Sequence, residues 1–282
     1  MNDIRESTPS AEEALRTRIL GAAAALLFLG LVVLMYTGTA PEPAPKVVYP
    51  ELPDFAAISD VREKKQAFFG YLEPMIEAHN ERVRMTRRQL EAWRARRAEG
   101  DRLGAEARAV LAVLGERYRV DIPAQGPIPM ERLDALLACV DVIPPSLVLA
   151  QAATESAWGT SRFAREANNL FGEWCFTAGC GLVPNRRSQG ATHEVERFAT
   201  VSASIDSYFH NLNSHPAYAE LRAIRARARE AAATISGADL AAGLMLYSER
   251  GEDYVDELRL IIRVNDLDRF DSAPATRTAR AD

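Results

Sequence analysis

The apolar and polar positions divide the chain into one uncharged run, one proline-dense stretch and a series of segments with helical period. Ile19 to Tyr36 carries no charge and no proline, over about the length of a minimal bilayer span. Ala40 to Pro53, APEPAPKVVYPELP, predicts an extended, semi-stiff spacer. From Ile58 to Arg97 the residues Val61, Phe68, Leu72, Met75, Ile76, His79 and Val83 recur at helical spacing, with Arg, Glu and Lys on the other face. Pro74 is expected to kink this helix or divide it in two. Further helices are predicted over Ala105–Tyr118, Met130–Val140, Ser202–Leu212, Leu221–Ala233, Gly237–Tyr247 and Tyr254–Asn265. Ala191 to Val201 alternates enough to predict a strand pair or a hairpin arm.

One segment stands apart. Pro144 and Pro145 stop the segment before them, and Ser146 is a cap donor for the helix after it. Leu147 to Ala153 is almost free of polar residues and too short to span a membrane, so it predicts a buried helix. That helix ends in Glu155, with Ser156, Trp158 and Gly159 directly after it. Burial beside an indole disfavours the ionised carboxylate and raises its pKa. A carboxyl still protonated near neutral pH is a candidate general acid. The competing reading makes Glu155 the first exposed residue past a core helix. Downstream, Asn168 and Asn169 lead into Phe171, Trp174 and Phe176. Amides bond sugar hydroxyl and acetamido groups, and ring faces stack on pyranose C–H faces.

Charge and cysteine use narrow the chemistry. The net charge of −5 gives no basic footprint, which argues against nucleic acid as a partner. A cluster of arginines between Arg82 and Arg97 makes the second half of the long helix basic, a solvated face or a contact for anionic wall polymer or lipid headgroups. The four histidines show no ligand spacing with the three cysteines, so neither a metal nor another cofactor is expected. In an oxidising compartment Cys175 and Cys180 can close a small disulfide, and Cys139 in its apolar helix reads as a buried free thiol. Arg16 and Arg18 flank one end of the uncharged run and Lys46 alone lies beyond the other, which places the N-terminus inside and the C-terminal part outside. An uncleaved anchor is expected, and a signal peptide ending near Gly38–Ala40 is the competing reading.

ATESAWGTSRFAREANNLFG resembles the signature of the peptidoglycan glucosaminidases, glycoside hydrolase family 73. WCFTAGCGLVP and NLNSHPAYAELR resemble the Bax-type branch of that superfamily. The resemblance covers roughly residues 125–270 and implies a mainly α, lysozyme-like domain with a small β-hairpin lobe. The resulting organisation is a cytoplasmic tail (1–18), a membrane anchor (19–37), a proline-rich linker (38–55), a helical accessory region (56–120), the glucosaminidase domain (121–271) and a disordered tail (272–282).

The family's T-x-E in the hairpin lobe matches Thr192, His193 and Glu194, so the resemblance implies Glu194 as second carboxylate, with Glu196 in reserve. The hairpin is shorter here than in flagellar-type members. Tyr247 matches the first tyrosine of a G-Y-A-T-D-P-x-Y segment and is implied to line the cleft and support catalysis by orienting or stabilising the attack, although ERGED replaces ATDP. Trp158, Asn169, Phe171 and Trp174 are the candidates for the sugar-binding wall, each of which also reads as packing. The implied activity is cleavage of the β-1,4 bond on the reducing side of N-acetylglucosamine in peptidoglycan, in the periplasm and tethered to the inner membrane. Glu155 is the acid, and attack comes from water activated by Glu194 or from the substrate's acetamido oxygen. A lytic transglycosylase and a non-catalytic wall-binding scaffold are the alternatives.

Overall fold

In the computed structural model the described residues are 49–185, 187 and 190–271. The predicted anchor at 19–37 and the tail at 272–282 lie outside them. Among the described residues no helix is long and apolar enough to cross a membrane.

The long helix α1 (Val61–Ala98) opens on Asp60, whose side chain accepts from the Glu63 amide at 2.8 Å. It runs unbroken through Pro74. Proline there removes one amide and crowds the carbonyl four residues back, and that residue is Gly70, whose surroundings are open. After α1 come α2 (Ala105–Tyr118), α3 (Met130–Cys139), α4 (Pro145–Ser156) and α5 (Arg162–Ala167). Three short strands come next: β1 (Trp174–Cys175), β2 (Gly181–Leu182) and β3 (Glu194–Glu196). The chain closes with α6 (Val201–Ser214), α7 (Ala219–Glu230), α8 (Gly237–Leu240) and α9 (Glu252–Val264), linked in part by 3₁₀ turns. The helix predicted over Gly237–Tyr247 is therefore one turn of α-helix continued by a 3₁₀ turn, Ala241–Leu244. Gly243 sits where a Cβ would lie 2.3 Å from the Leu221 backbone, so this segment presses directly on α7.

The architecture is mainly helical with one small sheet. Two cores share α1. Phe68, Phe69, Leu72, Met75 and Ile76 from its first half join α4, α6 and α9 in the larger core. Val83, Leu90 and Trp93 from its second half join α2 and α3 in the smaller one. Residues predicted as spacer also enter the larger core: Phe55 is buried against Phe68, Tyr49 and Leu52 pack beside it, and the Tyr71 hydroxyl donates to the Pro50 carbonyl at 2.8 Å. An aromatic placed just after prolines can dock because the stiff chain leaves it little entropy to lose.

Most arginines in the basic half of α1 are paired within the chain. Arg84 and Arg88 meet Glu77 and Glu81, Arg94 meets Asp134, Arg96 meets Asp101, and Arg87 meets Glu91 and buried Asp141. Asp141 also holds Arg229 at 2.7 Å and lies 3.8 Å from Arg225, both on α7. Arg225 is 1% exposed. Its guanidinium donates to the carbonyls of Ala138, Cys139, Asp141 and Val142 and to the Asn213 side chain. One cation therefore ties the α3–α4 connection to α6 and α7.

The β lobe contains the expected hairpin, β2 and β3 joined by a long connection, and adds β1 as a third strand. β3 lies in the centre, with β1 and β2 antiparallel on either side of it. The Cys175–Cys180 disulfide closes the loop between β1 and β2 and so sets the outer strands astride β3. Gly181 makes the close approach possible, since a Cβ there would lie 1.9 Å from the Val195 carbonyl oxygen.

Candidate active site

The site grows from the C-terminal end of α4. This helix is buried along nearly its whole length. Ser146 does not cap it. Pro144 takes the cap position, so Ser146 lies inside the helix, and its amide and hydroxyl donate to the Asp271 carboxylate at 2.9 and 2.7 Å. Asp271 receives the Gly237 amide as well, at 3.0 Å. A carboxylate at a helix N-terminus satisfies orphan amides and complements the helix dipole.

At the other end Ala157, Trp158 and Gly159 all have positive φ, reversing the chain immediately after Glu155. The Ser156 hydroxyl fixes that reversal by donating to the Ala152 carbonyl and accepting from the Gly159 amide at 2.7 Å. Gly159 is required twice over: its φ is +75°, and a Cβ would lie 2.6 Å from the Phe55 ring.

Glu155 is half-buried. Its Oε1 accepts from the Tyr254 hydroxyl at 2.7 Å. Tyr254 accepts from Gln151 Nε2 at 3.0 Å, and Gln151 Oε1 accepts from the Tyr208 hydroxyl at 2.5 Å, so a chain of hydrogen bonds runs from α6 through α4 and α9 to the carboxylate. Its Oε2 faces Gly172, where a Cβ would stand 3.6 Å away. Burial pushes the Glu155 pKa above the usual carboxylate range; the Tyr254 hydrogen bond opposes this, Glu257 adds to it and Arg250 subtracts. The indole of Trp158 is engaged elsewhere. It packs edge-on to Phe68 and Phe69, with the Lys65 ammonium 4.8 Å above the ring.

The NLFGEW turn faces Glu155. Asn169 is buried, and its amide group is used up on backbone: it donates to the Glu173 and Glu196 carbonyls, both at 2.9 Å, and accepts from the Phe171 and Glu173 amides. This one side chain fastens the turn to β3. Phe171 is buried and stacks on Tyr208. The Tyr247 hydroxyl donates to the Phe171 carbonyl at 2.8 Å while its ring stacks on Tyr254, so Tyr247 bridges the turn to the residue that holds Glu155. Burial pushes the Tyr247 hydroxyl well above its ordinary pKa. Trp174 is 57% exposed and stacks on His193, and Phe176 is 72% exposed. Of the four predicted wall residues, Trp174 alone presents a largely open ring.

Three carboxylates lie on one face of the β lobe. In register Cys175 pairs with Glu194, and Glu173 precedes β1 opposite Glu196, whose amide donates to the Glu173 carbonyl at 2.9 Å. Residues in register share a face, as do residues two apart. Glu194 is 8% exposed, and its oxygens accept from the Gly179 amide at 3.0 Å and the Gly181 amide at 2.8 Å. Those two bonds hold its pKa below the ordinary value. Glu196 is half-buried, and burial raises it. The ligand atoms of Cys175, Cys180 and Glu194 lie within 4.8 Å of one another, but the two sulfurs are bonded to each other and offer no thiolate.

Glu173 is the residue that sequence reasoning missed. Burial, with Glu196 adding to it, pushes its carboxyl up to about 8 against the opposing Ser207 hydrogen bond, and its Oε2 is buried without a hydrogen-bond partner among the described residues. The signal that could have found it is its place one residue after Gly172, inside the motif, in phase with Cys175. A carboxyl whose pKa is near 4.5 unfolded and about 8 folded binds an extra proton in the folded state between those values. Its contribution to stability therefore falls as pH rises through that window, by an amount on the order of a few kcal/mol. Glu173→Gln is expected to remove this dependence. Urea denaturation at pH 5 and pH 8 should show the wild type losing stability relative to the variant; parallel curves would contradict the assignment.

Comparison with known proteins fits this geometry. Residues 133–267 match the family model Glucosaminidase, described as mannosyl-glycoprotein endo-beta-N-acetylglucosaminidase. The chain is 34% identical over 204 residues to Protein bax of Escherichia coli (strain K12), a match spanning 72% of this chain and 70% of that protein. No solved structure matches it. The chain belongs to the glucosaminidase family, on its Bax-like side.

Proposed function

We propose that the protein is a membrane-anchored, periplasm-facing peptidoglycan hydrolase with a lysozyme-like catalytic domain. The reaction is endo-β-N-acetylglucosaminidase cleavage of the β-1,4 bond on the reducing side of N-acetylglucosamine. The observation that carries this reading is Glu155: a half-buried carboxyl at the end of a buried helix, raised by burial, oriented by Tyr254 and faced by a glycine turn. A carboxyl kept protonated toward neutral pH is what departure of an alcohol from a sugar requires.

In the proposed reaction Glu155 gives its proton to the glycosidic oxygen as the bond to the anomeric carbon breaks. Water adds to that carbon, and its proton passes to Glu194, the ionised carboxylate of the β lobe. Tyr247 positions the turn rather than reacting, since its hydroxyl is committed to the Phe171 carbonyl. Trp174 and Phe176 have open rings, and since Trp174 lies with His193 on the face of the β lobe away from Glu194, they are candidates for stacking sugars beyond the bond that is cut. Asn169, Phe171 and Trp158 support the wall from behind. The apolar run at 19–37 supplies the anchor, and its flanking charges support an outward-facing domain.

Digestion of purified peptidoglycan by the full chain, with mass spectrometry of the released fragments, tests the reaction. New reducing ends on N-acetylglucosamine are expected. Anhydro ends would make the protein a transglycosylase, and wall binding without release would make it a scaffold.

A further inference from the structure

The β1–β2 connection carries a device that the proposed chemistry does not by itself require. Cys175, the last residue of β1, lies directly across from Glu194 on β3. Cys180 immediately precedes Gly181, the first residue of β2, which pairs with Glu196 on the other side of β3. The disulfide therefore arches over the central strand at Glu194. Inside the arch the chain turns back on itself, the Cys180 amide donating to the Thr177 carbonyl at 3.0 Å, with Gly179 at φ +82°. This brings the amides on either side of Cys180 onto Glu194, one for each oxygen. Phe176, Thr177, Ala178 and Gly179 are all exposed, so no core packing holds the loop in that shape.

We infer that the disulfide-closed loop Cys175–Gly181 is a positioning element for Glu194, presenting two backbone amides that orient its carboxylate while the Cys175–Cys180 bond is intact. The inference rests on the proposed role of Glu194 in the reaction. It makes the activity sensitive to a dithiol reductant. In that step the protein disulfide takes up two electrons and two protons to give two thiols while the dithiol closes to its own disulfide. The freed loop then loses its hold on the Gly179 amide, while the β2–β3 pairing and the Arg197 amide's bond to the Cys180 carbonyl at 3.2 Å keep only the Gly181 side on β3. A carboxylate that loses N–H donors becomes more basic. The other charged groups nearby do not replace them. Arg187 attracts from the β2–β3 connection, Glu196 lies two residues along the same face, Glu173 lies across from Glu196, and His193 points to the opposite face, stacked on Trp174.

The test compares the full chain oxidised and reduced, with free thiols verified by alkylation. Titration of the Glu194 side-chain carboxyl by carbon NMR reads the effect without requiring turnover. Reduction is expected to raise its titration midpoint by about one pH unit. On peptidoglycan, kcat is expected to fall on the order of tenfold or more with a smaller change in KM, reversibly on reoxidation, and the acid limb of the rate profile to move to higher pH. Cys175→Ser/Cys180→Ser should reproduce the reduced protein. The residual rate of Glu194→Gln should not respond to reduction, because the loop then has no carboxylate to tune. An unchanged Glu194 midpoint on reduction would overturn the inference, as would an equal rate loss in the Glu194→Gln background. If the oxidised protein releases no N-acetylglucosamine ends, the functional reading fails, while the NMR midpoint still decides whether the loop positions Glu194.

Discussion

Glu155→Gln is expected to lower kcat on peptidoglycan by about 10²–10⁴-fold, the usual contribution of a positioned general acid. The amide keeps the shape of the carboxyl and can still accept from Tyr254, so the fold and KM should change little. The loss should depend on the leaving group. An N-acetylglucosamine oligomer carrying a nitrophenyl aglycone needs no proton to release it, and on that substrate variant and wild type should nearly converge. The wild type should lose activity as pH rises through the raised Glu155 pKa, and the variant should lack that alkaline limb. An equal loss on both substrates would mean that Glu155 binds or supports rather than donates.

The second large effect is structural. Arg225→Met is expected to cost about 3–5 kcal/mol, the range for breaking a buried ion pair by removing one partner. Burial pushes the Arg225 guanidinium down to about 10 against the pull of Asp141, so it remains charged at neutral pH. Methionine can fill the space but offers no donor to the four carbonyls and the Asn213 oxygen that the guanidinium now satisfies. Arg229 and Arg87 would still hold the Asp141 carboxylate, which limits the damage on that side. A midpoint of thermal unfolding lower by roughly 10 °C is the expected reading. A change within about 1 kcal/mol would mean that those carbonyls find water instead.

How far each feature is legible in the sequence depends on the range of the forces that make it. α4 is legible because a polar-free run bounded by two prolines has one sensible environment, and Glu155 stands out as the charge that ends it. The cap of that helix is not legible, because Asp271 lies 125 residues from Ser146 and only tertiary folding brings them together. Arg225 is hidden in an arginine- and alanine-rich helix, where period alone cannot tell the one buried cation from its solvated neighbours. The β lobe reads as a hairpin and β2–β3 is one, but the third strand is not legible, because strands of two and three residues carry too little alternation to show all their pairings. Glu173 escapes notice for the same reason. The wall candidates rest on residue type, and type does not report direction. Asn169 turns its amide onto backbone, and Phe171 and Trp158 turn their rings into the core, while Trp174 turns outward.

Digestion of peptidoglycan in heavy-oxygen water, by the full chain and by Glu155→Gln, is the most direct test of Glu155 as the acid of a hydrolase. The wild type is predicted to release new N-acetylglucosamine reducing ends carrying one heavy oxygen, and the variant almost none while both still bind the wall. Unlabelled anhydro ends, or labelled ends released equally by both proteins, would contradict it.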